Sequence, residues 1–146
     1  YIYLLITMPK LNEYIIEKVR AMFEQKMYTE GLKLLFVCMK NDCAFYRKAF
    51  EITGQNAFTD IIRNSLHNLF LSEMSEIYIE NQTNNPLVTA ELVAAFYANS
   101  LSNLLQMWIQ SNNQQCTAEN MVEAYAYLLS HRIQDFIDPT ENPAEN

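Results

Sequence analysis

Glycine and proline are scarce in this chain, with two and four among 146 residues. A turn-rich β fold needs both residue types at its corners, and a phosphate-cradling loop needs clustered glycines, so the composition argues against either. Cysteine is scarce and odd in number: Cys38, Cys43 and Cys116 form no CxxC pair. That pattern suggests neither a disulfide framework nor a zinc site, and the three read as reduced thiols. His67 and His131 stand alone, without the HExxH spacing of a metal site. No nucleophile elbow or paired-carboxylate motif is present, so the chain reads as a non-enzyme that calls for no cofactor and no metal.

Basic charge is missing from one half of the chain. Tyr1 to Arg63 holds nine Lys/Arg and seven Asp/Glu, or +2, while Asn64 to Asn146 holds one and ten, or −9. Lysine and arginine contacts to phosphates supply most non-specific DNA affinity, so this balance is not that of a DNA-binding surface. Long uncharged apolar runs are absent too. The opening YIYLLITM is too short for the roughly 18 residues of a membrane span and lacks the basic start of a cleavable signal. A cytoplasmic protein with no membrane partner is expected.

What is present is hydrophobic and periodic. Half of the residues are apolar, and 146 residues suffice for one domain that buries about two thirds of its unfolded surface. The whole chain reads as α-helical. Its organising stretch is Asn85 to Ile109, NPLVTAELVAAFYANSLSNLLQMWI, apolar on more than one side, so either it runs through the middle of its own domain or a partner buries its second face. Asn85 and Pro86 predict its start as cap and first helical residue. Asn99, Ser100, Ser102 and Asn103 interrupt its apolar body. Each such group costs about 1–3 kcal/mol if buried without a partner.

Before that stretch, Pro9 predicts an interruption or kink at Met8, followed by an amphipathic helix to about Gln25. The run before Pro9 reads as the end of a truncated linker or helix that packs on the domain or continues from upstream. Further helices are expected over Tyr28–Lys40, from Asp42 or Cys43 to Ile52 with Gly54 ending it, and from an Asn56 cap to about Glu80. After it, Thr117 opens a last helix carried to Ile137 and stopped by Asp138 and Pro139. The acidic tail 139–146 reads as disordered.

Three segments carry a resemblance: AFYRKAFEITGQNAF (Ala44 to Phe58), the organising stretch itself, and TAENMVEAYAYLL (Thr117 to Leu129). They resemble the C-terminal regulatory domain of TetR-type transcription regulators, in the branch of the dihydroxyacetone kinase operon regulators. The Phe45-Tyr46 pair and the Gly54-Gln55-Asn56 turn are the most specific positions. The likeness covers about Leu11 to Ile137. It implies an all-α fold of about six helices over residues 10–138, with the last two forming a four-helix bundle in a homodimer. It also implies an N-terminal helix-turn-helix domain that binds operator DNA; no such motif lies within this chain, and AFYRKAF belongs to the regulatory part. Relatives place small residues around the positions of Asn99, Ser100 and Asn103. Here those positions are larger and polar.

The resemblance implies two sets of site residues. For the two-fold interface they are Leu101, Leu104, Leu105, Trp108, Met121, Tyr125 and Leu128. For a cavity holding an unknown small-molecule effector they are Phe36, Tyr46, Phe50, Phe58, Ile62, Phe70, Phe96, Asn99 and Asn103. An apolar pocket with a few polar groups suits such a ligand. The alternative is a helical adaptor regulated by a protein effector, with no small-molecule site.

Overall fold

A computed structural model describes residues 2–54, 57–111 and 116–138. Among them are eight helices and no strand: α1 (Ile2–Glu24), α2 (Tyr28–Asn41), α3 (Cys43–Phe50), α4 (Phe58–Glu73), α5 (Glu76–Gln82), α6 (Ala90–Gln110), α7 (Ala118–Ser130) and α8 (Gln134–Ile137). The all-α expectation holds. About six helices become eight because two expected helices are each divided.

The first division falls at Met74 and Ser75, both extended, so the fourth helix does not run to Glu80. Ser75 caps α5 by accepting the Tyr78 amide, and the Glu76 carboxylate then accepts the Ala90 amide at 2.9 Å. That bond places an anion at the N-terminus of α6, where the helix dipole favours it. The second division falls at His131. Ser130 Oγ and His131 Nδ1 lie 3.0 and 2.7 Å from the Tyr127 carbonyl, which a continuing helix would have used for its own ladder.

Two expected starts also differ. Asn85 does not cap α6; its side chain accepts the Leu87 amide at 3.0 Å in a local turn. The cap is Thr89, whose hydroxyl accepts the Leu92 amide at 3.1 Å. Pro9, expected to break the first helix, lies inside an uninterrupted α1. Other expectations hold: Thr117 and Asn120 form a reciprocal capping box at α7, and Gly54 adopts a φ of 96° after α3. Asn56, Gln55, Pro139 and the tail lie outside the described residues, as do the side chains before Pro9 other than Thr7.

The α1–α2 corner is tight. The Met27 and Lys26 amides return to the Met22 and Phe23 carbonyls, with Lys26 at a φ of 62° where glycine is the usual occupant. Gly31 then lets α2 approach α1: a Cβ there would stand 2.8 Å from the Phe23 ring. The core gathers Val19 and Phe23 of α1, Leu35, Phe36 and Met39 of α2, Tyr46 and Phe50 of α3, and Ile62, Leu66 and Leu69 of α4 around the inner side of α6. Helix α6 packs most extensively on α4, while α7 lies on α2. Ala90, Ala94 and Ala98 keep the inner side of α6 low, which allows α4 to come close.

Candidate functional site

Helix α6 has two apolar sides with different fates. Inward face Ala90, Ala94, Ala98, Leu101, Ser102, Leu105 and Ile109, all buried. Outward, at i, i+4, i+7, i+11 and i+15, stand Leu92, Phe96, Asn99, Asn103 and Met107, all exposed. Phe96 is 63 % and Met107 70 % exposed, a large apolar investment to leave in water at about 25 cal/mol per Å². Two asparagines occupy the middle of this stripe.

The polar interruptions therefore resolve into two kinds. Ser102, at 1 % exposure, donates to the Asn99 carbonyl at 3.1 Å, and Ser100 donates to the Tyr97 carbonyl at 3.0 Å. Ser100 also meets the Tyr125 hydroxyl at 3.2 Å, and Tyr125 reaches the Tyr97 carbonyl at 3.3 Å, so α7 is tied to α6 by one phenol. Burial pushes the Tyr125 phenol pKa up, partly offset by the bond from Ser100. Asn99 and Asn103 instead keep their amides free at the surface.

The residues expected to line an effector cavity separate. Phe36, Tyr46, Phe50, Phe58, Ile62 and Phe70 are buried together in the core. Tyr46 and Phe50 each pack a ring on Phe58, at centroid distances of 5.6 and 4.9 Å, so aromatic carbon occupies the space between them. Burial, reinforced by the charge of Asp42, pushes the Tyr46 phenol up to about 12. Phe96, Asn99 and Asn103 lie on the opposite, outward side of α6 and do not join them.

The residues expected at a two-fold interface are also redistributed. Leu101 and Leu105 are at 0 % exposure, and Met121 and Tyr125 are buried as well, so the chain's own core consumes them. Leu104 and Trp108 are half-buried against that core, with Trp108 edge-on to Phe36 at 5.4 Å. Only Leu128, 51 % exposed, presents its side chain outward. The difference in burial is one of helical phase: Leu101 and Leu105 lie along the Ala94–Ala98 row, and Phe96 and Met107 on the other side.

A second feature was not visible in the sequence. A cleft of about 300 Å³ opens beside the C-terminal end of α6, lined by Lys40, Cys43, Ala44, Arg47, Trp108, Ile109, Ser111 and Cys116. Its cations come from α2 and α3, and its aromatic wall from α6. No spacing links Lys40 and Arg47 to Trp108 in the chain. Among the described residues no group of three His, Cys, Asp or Glu could hold a metal, and no helix is long and apolar enough to cross a membrane.

Among the described residues the domain is all-helical, and its principal helix leaves one apolar side exposed. Residues 26–131 match the profile of the transcriptional regulator C-terminal region of the TetR type. The chain belongs to that family, which is one of regulators and not of enzymes. No curated protein and no solved structure matches the chain.

Proposed function

We propose that this domain, spanning residues 10–138, joins two copies of the regulator and senses an effector, without catalysing a reaction. The observation that carries the dimer is the exposed row Leu92, Phe96, Asn99, Asn103 and Met107 on α6. In a two-fold interface each residue meets the same surface of its mate. Asn99 and Asn103 suit that role, because an amide offers both donor and acceptor and can pair with its own copy. One polar pair within an apolar seam fixes register at some cost in stability. Leu128 of α7 extends the surface toward a four-helix arrangement.

The route of a signal follows the packing. Helix α1 lies on α2 and α4, and α4 lies on α6, so a change in how α2 and α3 meet α6 reaches α1 through one continuous set of buried side chains. With a helix-turn-helix domain joined ahead of α1, such a shift would alter the spacing of two DNA-reading heads and their match to successive major grooves. The likeness of Phe45, Tyr46 and Gly54 to the dihydroxyacetone kinase operon branch supports a place within that branch.

Light scattering of the full chain at micromolar concentration tests the dimer: twice the 17.1 kDa of one chain is expected. A thermal midpoint that rises with protein concentration should accompany it. A particle of one chain's mass that co-purifies with a different protein would instead favour an adaptor.

A further inference from the structure

We propose that the cleft beside the C-terminal end of α6 is a binding site for a small organic anion with an aromatic or apolar body. It gives the proposed regulatory reading its ligand class, but its chemistry stands independently of whether the chain dimerises.

The lining divides into a cationic side and an apolar side. On the first, Lys40 Nζ donates to the Cys116 carbonyl at 3.0 Å, and Arg47 Nε donates to the Ile109 carbonyl at 3.2 Å. Arg47 also places Nη2 at 3.5 Å from Cys43 Sγ. An ammonium has three donors and a guanidinium five, so most donors on both groups are left over after these bonds. Among the described residues no carboxylate lines the cleft and neither cation forms an ion pair. Elsewhere the basic side chains near acids take them: Lys33 pairs with Glu119, Arg63 with Asp60, and Arg132 with Asp135. Lys40 and Arg47 thus bring two cations without a carboxylate partner to one cleft, in a chain of net charge −7.

Their neighbours do not use all of their donors. The bonds to the Ile109 carbonyl, at the negative end of α6, and to Cys43 Sγ engage Nε and Nη2 of Arg47 and leave the other N–H groups of its guanidinium fork unused beside the cleft it lines. That fork is the group best shaped to receive a carboxylate or phosphate through two parallel bonds. On the other side, Trp108, Ile109 and Ala44 supply an apolar wall, with Ser111 and the thiols of Cys43 and Cys116 completing the lining. The volume lies at the lower end of small-molecule sites, about right for a single ring carrying one acidic group. Such a ligand would touch α2, α3 and α6 together, the three elements whose packing the proposed signal must change.

Trp108 is the only tryptophan in the chain and forms a wall of the cleft. Its emission therefore reports occupancy directly. Phenylacetate and phenyl phosphate are titrated into the full chain, with phenylacetamide and benzyl alcohol as neutral counterparts. A saturable emission change is expected for at least one anion with a Kd of about a millimolar or tighter, and binding of the neutral compounds weaker by about tenfold or more. Lys40→Gln and Arg47→Gln should each weaken the anion by about tenfold. Lys40 is exposed, so its variant keeps the fold and decides the matter if the Arg47 variant is unstable. The proposal is overturned if neither anion gives a saturable change, if the amide binds equally well, or if Lys40→Gln leaves the affinity unaltered. Repeating the titration in Phe96→Glu separates the two readings: loss of the dimer with retained anion binding would count against neither the cleft nor its ligand class.

Discussion

The inner and outer sides of α6 are similarly apolar in sequence but opposite in environment. Ala94, Ala98, Leu101 and Leu105 are at 0 % exposure, while Leu92, Phe96 and Met107, within a turn of them, are between 49 and 70 % exposed. The inner row is small or aliphatic and shaped to α4. The outer row is bulky, with asparagines at its centre. Apolarity along a helix therefore states how much surface needs cover, while size and polar placement indicate whether the cover comes from the same chain or another.

The contrast is broken or sharpened first by truncating each side. Leu101→Ala should cost about 2–5 kcal/mol in chemical denaturation, because the void forms in a core that cannot collapse around it. Leu92→Ala on the outer side should cost well under 1 kcal/mol of protomer stability. Equal losses at both positions would mean that the outer row is packed by its own chain.

Alkaline pH is the next probe of the inner side, because Tyr46 packs there at 2 % exposure with its phenol pKa near 12 instead of the ordinary 10.0. The folded state holds that proton more tightly than the unfolded chain. Stability from this group is therefore complete below pH 10 and falls as pH rises toward 12. The loss is roughly 2–3 kcal/mol. Tyr125, raised in the same direction, adds to it. Absorbance titration of the native chain should show the Tyr46 and Tyr125 phenols ionising above the ordinary value; a single transition near the ordinary value would show the inner side to be open to water.

A smaller effect is expected where α2 meets α1. Gly31→Ala gains about 1 kcal/mol of helix propensity, but its methyl group meets the Phe23 ring. That ring is at 6 % exposure and stacked on Phe70, so it has little room to yield. Overpacking of about 1–3 kcal/mol should outweigh the gain and leave a net loss of about 1 kcal/mol in the denaturation midpoint. A more stable variant would mean that this side tolerates looser packing than its burial implies.

Much of the fold was legible, and the reasons differ from element to element. Thr117 predicted the start of α7 because its cap is local, and Gly54 marked a left-handed turn for the same reason. The start of α6 was misplaced because Asn85-Pro86 and Thr89 are competing local signals, and the distant Glu76 carboxylate supports the second. Pro9 inside α1 shows the converse, a strong local breaker carried within a helix.

The site was less legible than the fold. Periodicity disclosed that α6 has more than one apolar side, but Phe96, Asn99 and Asn103 were expected beside the core aromatics and not as a separate outward row. Those three residues lie on the outer side of α6, while Leu101 and Leu105, expected at the interface, lie in the core of the single chain. A repeat of 3.6 residues gives spacing without stating which direction is inward; the low row of Ala90, Ala94 and Ala98 was the available sign of close contact with α4. The cleft had no comparable sign, since Lys40, Arg47 and Trp108 meet only through the packing of three helices.

The central claim is that a second copy covers the outer row of α6. Its most direct test is the mass of the wild-type chain beside that of Phe96→Glu, measured by light scattering at one micromolar-range concentration with helical content checked in parallel. The account predicts twice 17.1 kDa for the wild type and a single, equally helical 17.1 kDa chain for the variant. A wild type that is already a single chain, or a dimer that survives the buried glutamates, would contradict it.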